Sequence, residues 1–207
     1  MLIFNLISNP WQFLGFVVAL LVAITIHEFA HAYTANVYGD STARLHGRMT
    51  LNPIAHLDLW GTIFLLLAGF GWGKPVPVNP NNFKNPKWDN LTVSLAGPIS
   101  NLILATVLGL VYRFASFGPA ADSFLVLIIF FNLVLMIFNL IPIPPLDGSK
   151  ILGLFLNEDA FAYFQQIGIS VLFGLIIFSS LFYPVLPTLM NTAVTFFFTL
   201  ITGKPTL

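Results

Sequence analysis

Apolar residues run along this chain in six blocks, about 11–35, 59–72, 90–115, 123–141, 161–182 and 185–201, parted by short polar stretches. A membrane-crossing helix needs roughly 20 apolar residues. The first, third and fifth blocks meet that length, and the fourth is slightly short but nearly free of charge. Pro187 and Asn191 interrupt the sixth. The second, "LWGTIFLLLAGFGW", would extend only about 21 Å as a helix, so the pattern predicts that it dips into the membrane and returns.

Proline and glycine divide the remainder. "GWGKPVPVNPNNFKNPKW" (71–88) carries Pro75, Pro77, Pro80 and Pro86 and reads as a loop or edge-strand ribbon. "NLIPIPPLDG" (139–148) must leave helical geometry near Ile141, ahead of Pro142, Pro144 and Pro145. "GRMTLNPIAHLD" (47–58) reads as a short strand and a turn. The expected fold is therefore an all-α polytopic membrane protein with about five transmembrane helices. A re-entrant hydrophobic segment at 59–72 and a small β-ribbon complete it. One membrane domain spans 1–207, with its core at 25–152 and C-terminal helices at 161–203.

Composition agrees. The 207 residues are 57% hydrophobic and 8% charged, against about 25% charged in soluble domains, so the bilayer is the main solvent. Lys plus Arg and Asp plus Glu balance at eight each, which leaves no bulk basic signal for nucleic acid. No cysteine is present, so a metal must be held by His, Asp or Glu. The first 30 residues lack a basic region and a cleavage site of the A-x-A type, so the N-terminus is expected to be retained.

The basic residues suggest an orientation. With 59–72 re-entrant, Arg44, Arg48, Lys74, Lys84, Lys87, Lys150 and Lys204 fall on one side and Arg113 alone on the other. That asymmetry marks the first side as cytoplasmic and the N-terminus as outside. A crossing 59–72 would divide the basic residues between 39 and 88 across the membrane. The last block decides where the C-terminus lies.

The chemistry concentrates in "ITIHEFAHAY" (24–33). His27 and His31 are four apart and share a helix face. H-E-x-x-H can hold zinc through both rings while the Glu serves as general base. Two packed, hydrogen-bonded histidines are the bland alternative, which the intervening Glu28 in so charge-poor a chain disfavours. A third ligand must reach the same depth. Trp11 lies 16 residues before His27, about 24 Å of helix in a core of roughly 30 Å, so His27 sits just inside the cytoplasmic face. The fourth block ends on that side and delivers Asp147, whose Asp-Gly could otherwise be plain turn chemistry. His46 and His56 read as interface turn chemistry, with an added ligand as the alternative. Asn36, Tyr38, Asn52, Asn79, Asn81 and Asn82 lie on the same side, either lining a water path or simply solvated.

"HEFAH" together with "NLIPIPPLDG" resembles the site-2 protease family of intramembrane zinc metalloproteases. "AGPISN", with Gly97 and Asn101, looks like that family's Gly-x-x-x-Asn signature. The similarity covers about 25–152 and points to the small bacterial and archaeal branch without PDZ or CBS domains. It implies one zinc ion per chain on His27, His31 and Asp147, with Glu28 as the catalytic base. It also implies that Asn139 and Asn101 contact the substrate backbone or oxyanion. The implied partners are the lipid bilayer and a transmembrane protein substrate, cleaved near the cytoplasmic face of the cell membrane. Homo-oligomers stay open. The rival function is a non-proteolytic metal-binding scaffold or a transporter. A transporter would show polar groups along several spans and repeated halves, and a scaffold has no use for Glu28.

Overall fold

The computed structural model describes residues 9–68 and 71–205, the side chain of Ala68 excepted. The ends of the expected 1–207 domain and residues 69–70 of the 59–72 block lie outside the described residues. The chain forms α1 (Pro10–Val37), α2 (Thr42–Leu45), α3 (Leu59–Ala68), α4 (Pro86–Phe114), α5 (Pro119–Asn139), α6 (Ser149–Leu152), α7 (Glu158–Leu181) and α8 (Val185–Thr202). Five of these, α1, α4, α5, α7 and α8, are long and apolar enough to cross a membrane. Short 3-10 turns lie at Pro53–His56 and Pro80–Asn82.

Local chemistry sets the helix ends. Asn9 caps α1 by accepting the Gln12 N–H at 3.2 Å, with Pro10 in the first turn. Asn157 caps α7 by accepting from Ala160, with Glu158 and Asp159 following in the positive first turn. α5 stops at Asn139, ahead of the prolines.

α1, α4 and α5 pack on one another, and α8 closes on α4 and α5. Apolar helices gain little by leaving lipid for one another, so close packing of small residues matters more than hydrophobicity. α1 illustrates this: Ala19, Ala23, His27, His31 and Ala35 follow at intervals of four along one buried stripe. Alanine lets α4 approach, and the same stripe carries the two histidines inward. Leu133, Ile129 and Phe198 form the core between α5 and α8. α7 packs chiefly against α8, and Gly168 on α7 abuts Pro144.

Three expectations change. No ribbon forms: among the described residues the sole β pairing is an isolated Leu57–Gly73 bridge. Pro75, Pro77 and Pro80 remove the N–H groups that a ladder needs. Residues 47–58 likewise contain a 3-10 turn rather than a strand. The Leu57–Gly73 bridge does bring the two flanks of α3 together. Finally, Lys204 is not with the other lysines. Its ammonium donates to the Tyr112 carbonyl at 3.0 Å, and Gly203 lies against Arg113. The C-terminal turn of α8 thus sits beside that of α4, and the basic residues divide as six at one end and Arg113 with Lys204 at the other.

Candidate metal centre

Each histidine of the α1 stripe is tied down at Nδ1. His27 meets Oδ1 of Asn101 at 2.7 Å, and His31 meets the Val93 carbonyl at 2.8 Å. A carbonyl can only accept, so Nδ1 of His31 carries a proton, and in the neutral ring Nε2 then keeps a bare lone pair. The orientation of Asn101 follows the same way. Its Nδ2 donates to the Ala23 carbonyl at 3.0 Å and to Oδ1 of Asn132 at 2.8 Å. Its Oδ1 therefore faces His27, whose Nδ1 must donate.

Asp147 comes from the loop after α5. The Gly148 N–H donates to the Asn139 carbonyl at 2.7 Å and folds the loop back on the helix end. Only glycine fits there, since a β-carbon would lie 2.2 Å from the Leu140 carbonyl oxygen. The fold-back sets Oδ2 of Asp147 at 3.2 Å from Nε2 of His27 and 3.4 Å from Nε2 of His31. The two Nε2 atoms are 3.0 Å apart.

These three atoms are all lone-pair donors, and Oδ2 is buried with no hydrogen-bond partner. A proton on one ring could bridge one of the gaps; a cation between them serves all three. Tetrahedral zinc with ligands at about 2.0–2.1 Å has edges of about 3.3 Å, which the three separations bracket. Two imidazoles and a carboxylate suit that ion. Gly97 on α4 leaves the room, since a β-carbon there would lie 2.5 Å from Nε2 of His31 and 2.7 Å from Nε2 of His27.

Glu28 stands beside this group. Its Oε2 accepts the Val76 N–H at 2.9 Å. Pro75 and Pro77 have no N–H, so Val76 is the one donor among the three. The Val76 segment is anchored in turn: the Lys74 N–H donates to the His56 carbonyl at 2.9 Å. The buried Arg48 guanidinium donates to the Lys74 carbonyl at 2.6 Å and to that of Pro75 at 3.3 Å. Glu28, His27 and Asn139 line a cavity of about 650 Å³. Its walls are otherwise largely apolar, with Leu20 of α1, Leu65 of α3, Phe138 of α5 and Leu172 of α7 among them.

The structure thus brings His27, His31 and Asp147 together, with Glu28 and Asn139 on the adjoining cavity. Asn101 is fully buried, and its oxygen and amide are hydrogen-bonded to His27, Ala23 and Asn132. His56 is buried and holds the Thr50 carbonyl, and His46 holds that of Thr42; neither joins the three-residue group. Asn52 and Asn79 cap their own 3-10 turns, and Asn82 bonds Asp40. Sequence reasoning missed Asn132, Arg48, the Val93 carbonyl and the Val76 amide. Asn132 did leave a signal: a polar residue within an apolar run, seven positions and so about two turns before Asn139.

Comparison with known proteins assigns the chain to a family. The family model described as Peptidase family M50 matches residues 15–120 and 116–179. The chain belongs to this family, the site-2 protease family. It is 50% identical over 145 residues to YwhC of Bacillus subtilis, covering 66% of each chain. It is 32% identical over 162 residues to Rip2 of Mycolicibacterium smegmatis, covering 74% of this chain and 61% of that one. It is 27% identical over 157 residues to MJ0392 of Methanocaldococcus jannaschii, covering 76% and 38%. All three are named as zinc metalloproteases, and the match spans less than two thirds of the length of each. No solved structure gives a significant match.

Proposed function

We propose that the chain is an intramembrane zinc endopeptidase of the HExxH type. It hydrolyses peptide bonds in transmembrane segments of other membrane proteins, near the cytoplasmic face. The observation that carries this reading is the convergence of His27, His31 and Asp147 on one point beside Glu28, at the edge of a largely apolar cavity.

His27, His31 and Asp147 would hold the zinc, which would supply a Lewis acid to polarise a carbonyl and acidify water. The chain does the rest. Asn101 and the Val93 carbonyl fix the two rings so that both Nε2 atoms face Asp147. The Val76 N–H holds one oxygen of Glu28. The other oxygen takes a proton from water as the hydroxyl adds to the scissile carbonyl carbon. Glu28 then passes that proton to the amide nitrogen as the C–N bond breaks, which yields a carboxylic acid and an amine. Asn139 lines the cavity beside this point and is the better placed of the two asparagines to meet substrate. The apolar walls accept a substrate segment unwound from its own helix.

Gly61, Thr62, Leu65 and Leu66 of α3 line that cavity, and the Leu57–Gly73 bridge between its flanks supports a re-entrant course for 59–72. Six basic residues at the metal end against two at the other favour a cytoplasmic site and an outside N-terminus. The test is to reconstitute the purified chain in liposomes with membrane-protein extracts. Fragments cut within membrane segments should appear, vanish on zinc chelation and return when zinc is restored. Fragmentation that persists without metal contradicts the reading.

A further inference from the structure

Asn132 lies on α5, fully buried, and its hydrogen bonds go to Asn101 and Ile128 rather than to a candidate ligand. Its place in the hydrogen-bond network gives it a task nonetheless. Its Nδ2 donates to the Ile128 carbonyl at 2.8 Å, four residues back on its own helix. That carbonyl cannot donate, so Oδ1 of Asn132 must be the atom facing Asn101. Oδ1 accepts from Asn101 Nδ2 at 2.8 Å, and Oδ1 of Asn101 accepts from His27 Nδ1 at 2.7 Å. The bonds run one way, from His27 through Asn101 and Asn132 to Ile128. They link α1, α4 and α5, the three helices that pack on one another.

We propose that Asn132 is a positioning residue for the metal centre, acting through Asn101 to hold His27 in the tautomer and orientation that present Nε2 to zinc. The proposal rests on the zinc reading above. Two features support a role beyond packing. The chain ends on a metal-facing imidazole rather than on solvent or backbone alone. The Asn101 amide is also fully committed, to Ala23 and to Asn132: with the bond to Asn132 gone, one of its hydrogens is stranded in an apolar interior. Partners behind a ligand commonly govern metal affinity by 10- to 100-fold.

The experiment is a zinc-affinity double-mutant cycle on the full chain in detergent, read by chelator competition. Asn132→Leu keeps the heavy-atom branching and removes the acceptor, and should weaken zinc binding by about 10-fold or more. Asn101→Leu should weaken it by at least as much. The double variant should bind no more weakly than Asn101→Leu alone, because Asn132 acts through Asn101. Asn132→Ser, too short to reach Asn101, is measured alongside in case the leucine variant does not fold, and should weaken binding in the same sense. Thermal melting of the metal-free proteins separates folding from affinity. Wild-type affinity in a folded Asn132 variant overturns the proposal and leaves the zinc reading standing, as do losses that multiply in the double variant. A wild-type chain that binds no zinc overturns both.

Discussion

Gly97 and His31 stand so close that a β-carbon on the glycine would lie 2.5 Å from Nε2 of the histidine. This contact joins α4 to α1 at the point where the three candidate ligands meet. The space a β-carbon would take is that of the imidazole edges, where His27, His31 and Asp147 would hold an ion.

Gly97→Ala should therefore abolish stoichiometric zinc binding. The remaining small-residue contacts between α1 and α4 are untouched, so the helices should still associate. Metal analysis of the purified variant, with circular dichroism to establish helix content, checks this. Full zinc occupancy in Gly97→Ala would place the metal elsewhere.

Arg48 acts at a longer remove. It holds the carbonyls of Lys74 and Pro75, and the next residue, Val76, donates to Glu28. Arg48→Met should free this segment and lower cleavage by about tenfold or more, the effect of roughly 1.4 kcal/mol in the barrier. Zinc affinity should stay at the wild-type level, because no ligand depends on that segment. Equal losses of both properties would assign Arg48 to general stability.

Asp40 predicts a pH dependence. Burial pushes its carboxyl up, but bonds from the Thr42 hydroxyl, the Asn79 N–H, the Asn82 amide and the Thr42 N–H outweigh burial and hold it below the usual 3.8. A carboxyl held below its unfolded value stabilises the fold fully above the unfolded value. That contribution is lost as pH falls through the folded value. The melting temperature in detergent should fall as pH drops below about 4, and Asp40→Asn should flatten that acid limb. An unchanged acid limb in Asp40→Asn would assign the sensitivity to another group.

Much of the site was legible because its signals are local or are imposed by the membrane. Four-residue spacing put His27 and His31 on one face, and the depth of α1 with the proline break after α5 brought Asp147 to them. The helix blocks were equally legible, since a bilayer demands long apolar runs. What stayed hidden depends on tertiary contact. The Val93 carbonyl and the Val76 amide are backbone groups that no side-chain pattern can mark. Asn101 was visible as a motif, but its task depends on which neighbours consume its amide. The ribbon failed because edge-strand composition was weighed above the donors lost at Pro75, Pro77 and Pro80. Lys204 was misplaced because charge parity assumed that the weak last block would carry the C-terminus to the other lysines.

The most direct test of the account pairs two readings on Glu28→Gln: zinc per chain, and cleavage of membrane-protein substrates in liposomes. The glutamine retains the shape and can still accept the Val76 N–H, but it is no base. Glu28→Gln should hold about one zinc ion per chain with wild-type affinity and should show no cleavage. Cleavage at the wild-type rate by Glu28→Gln would contradict the account.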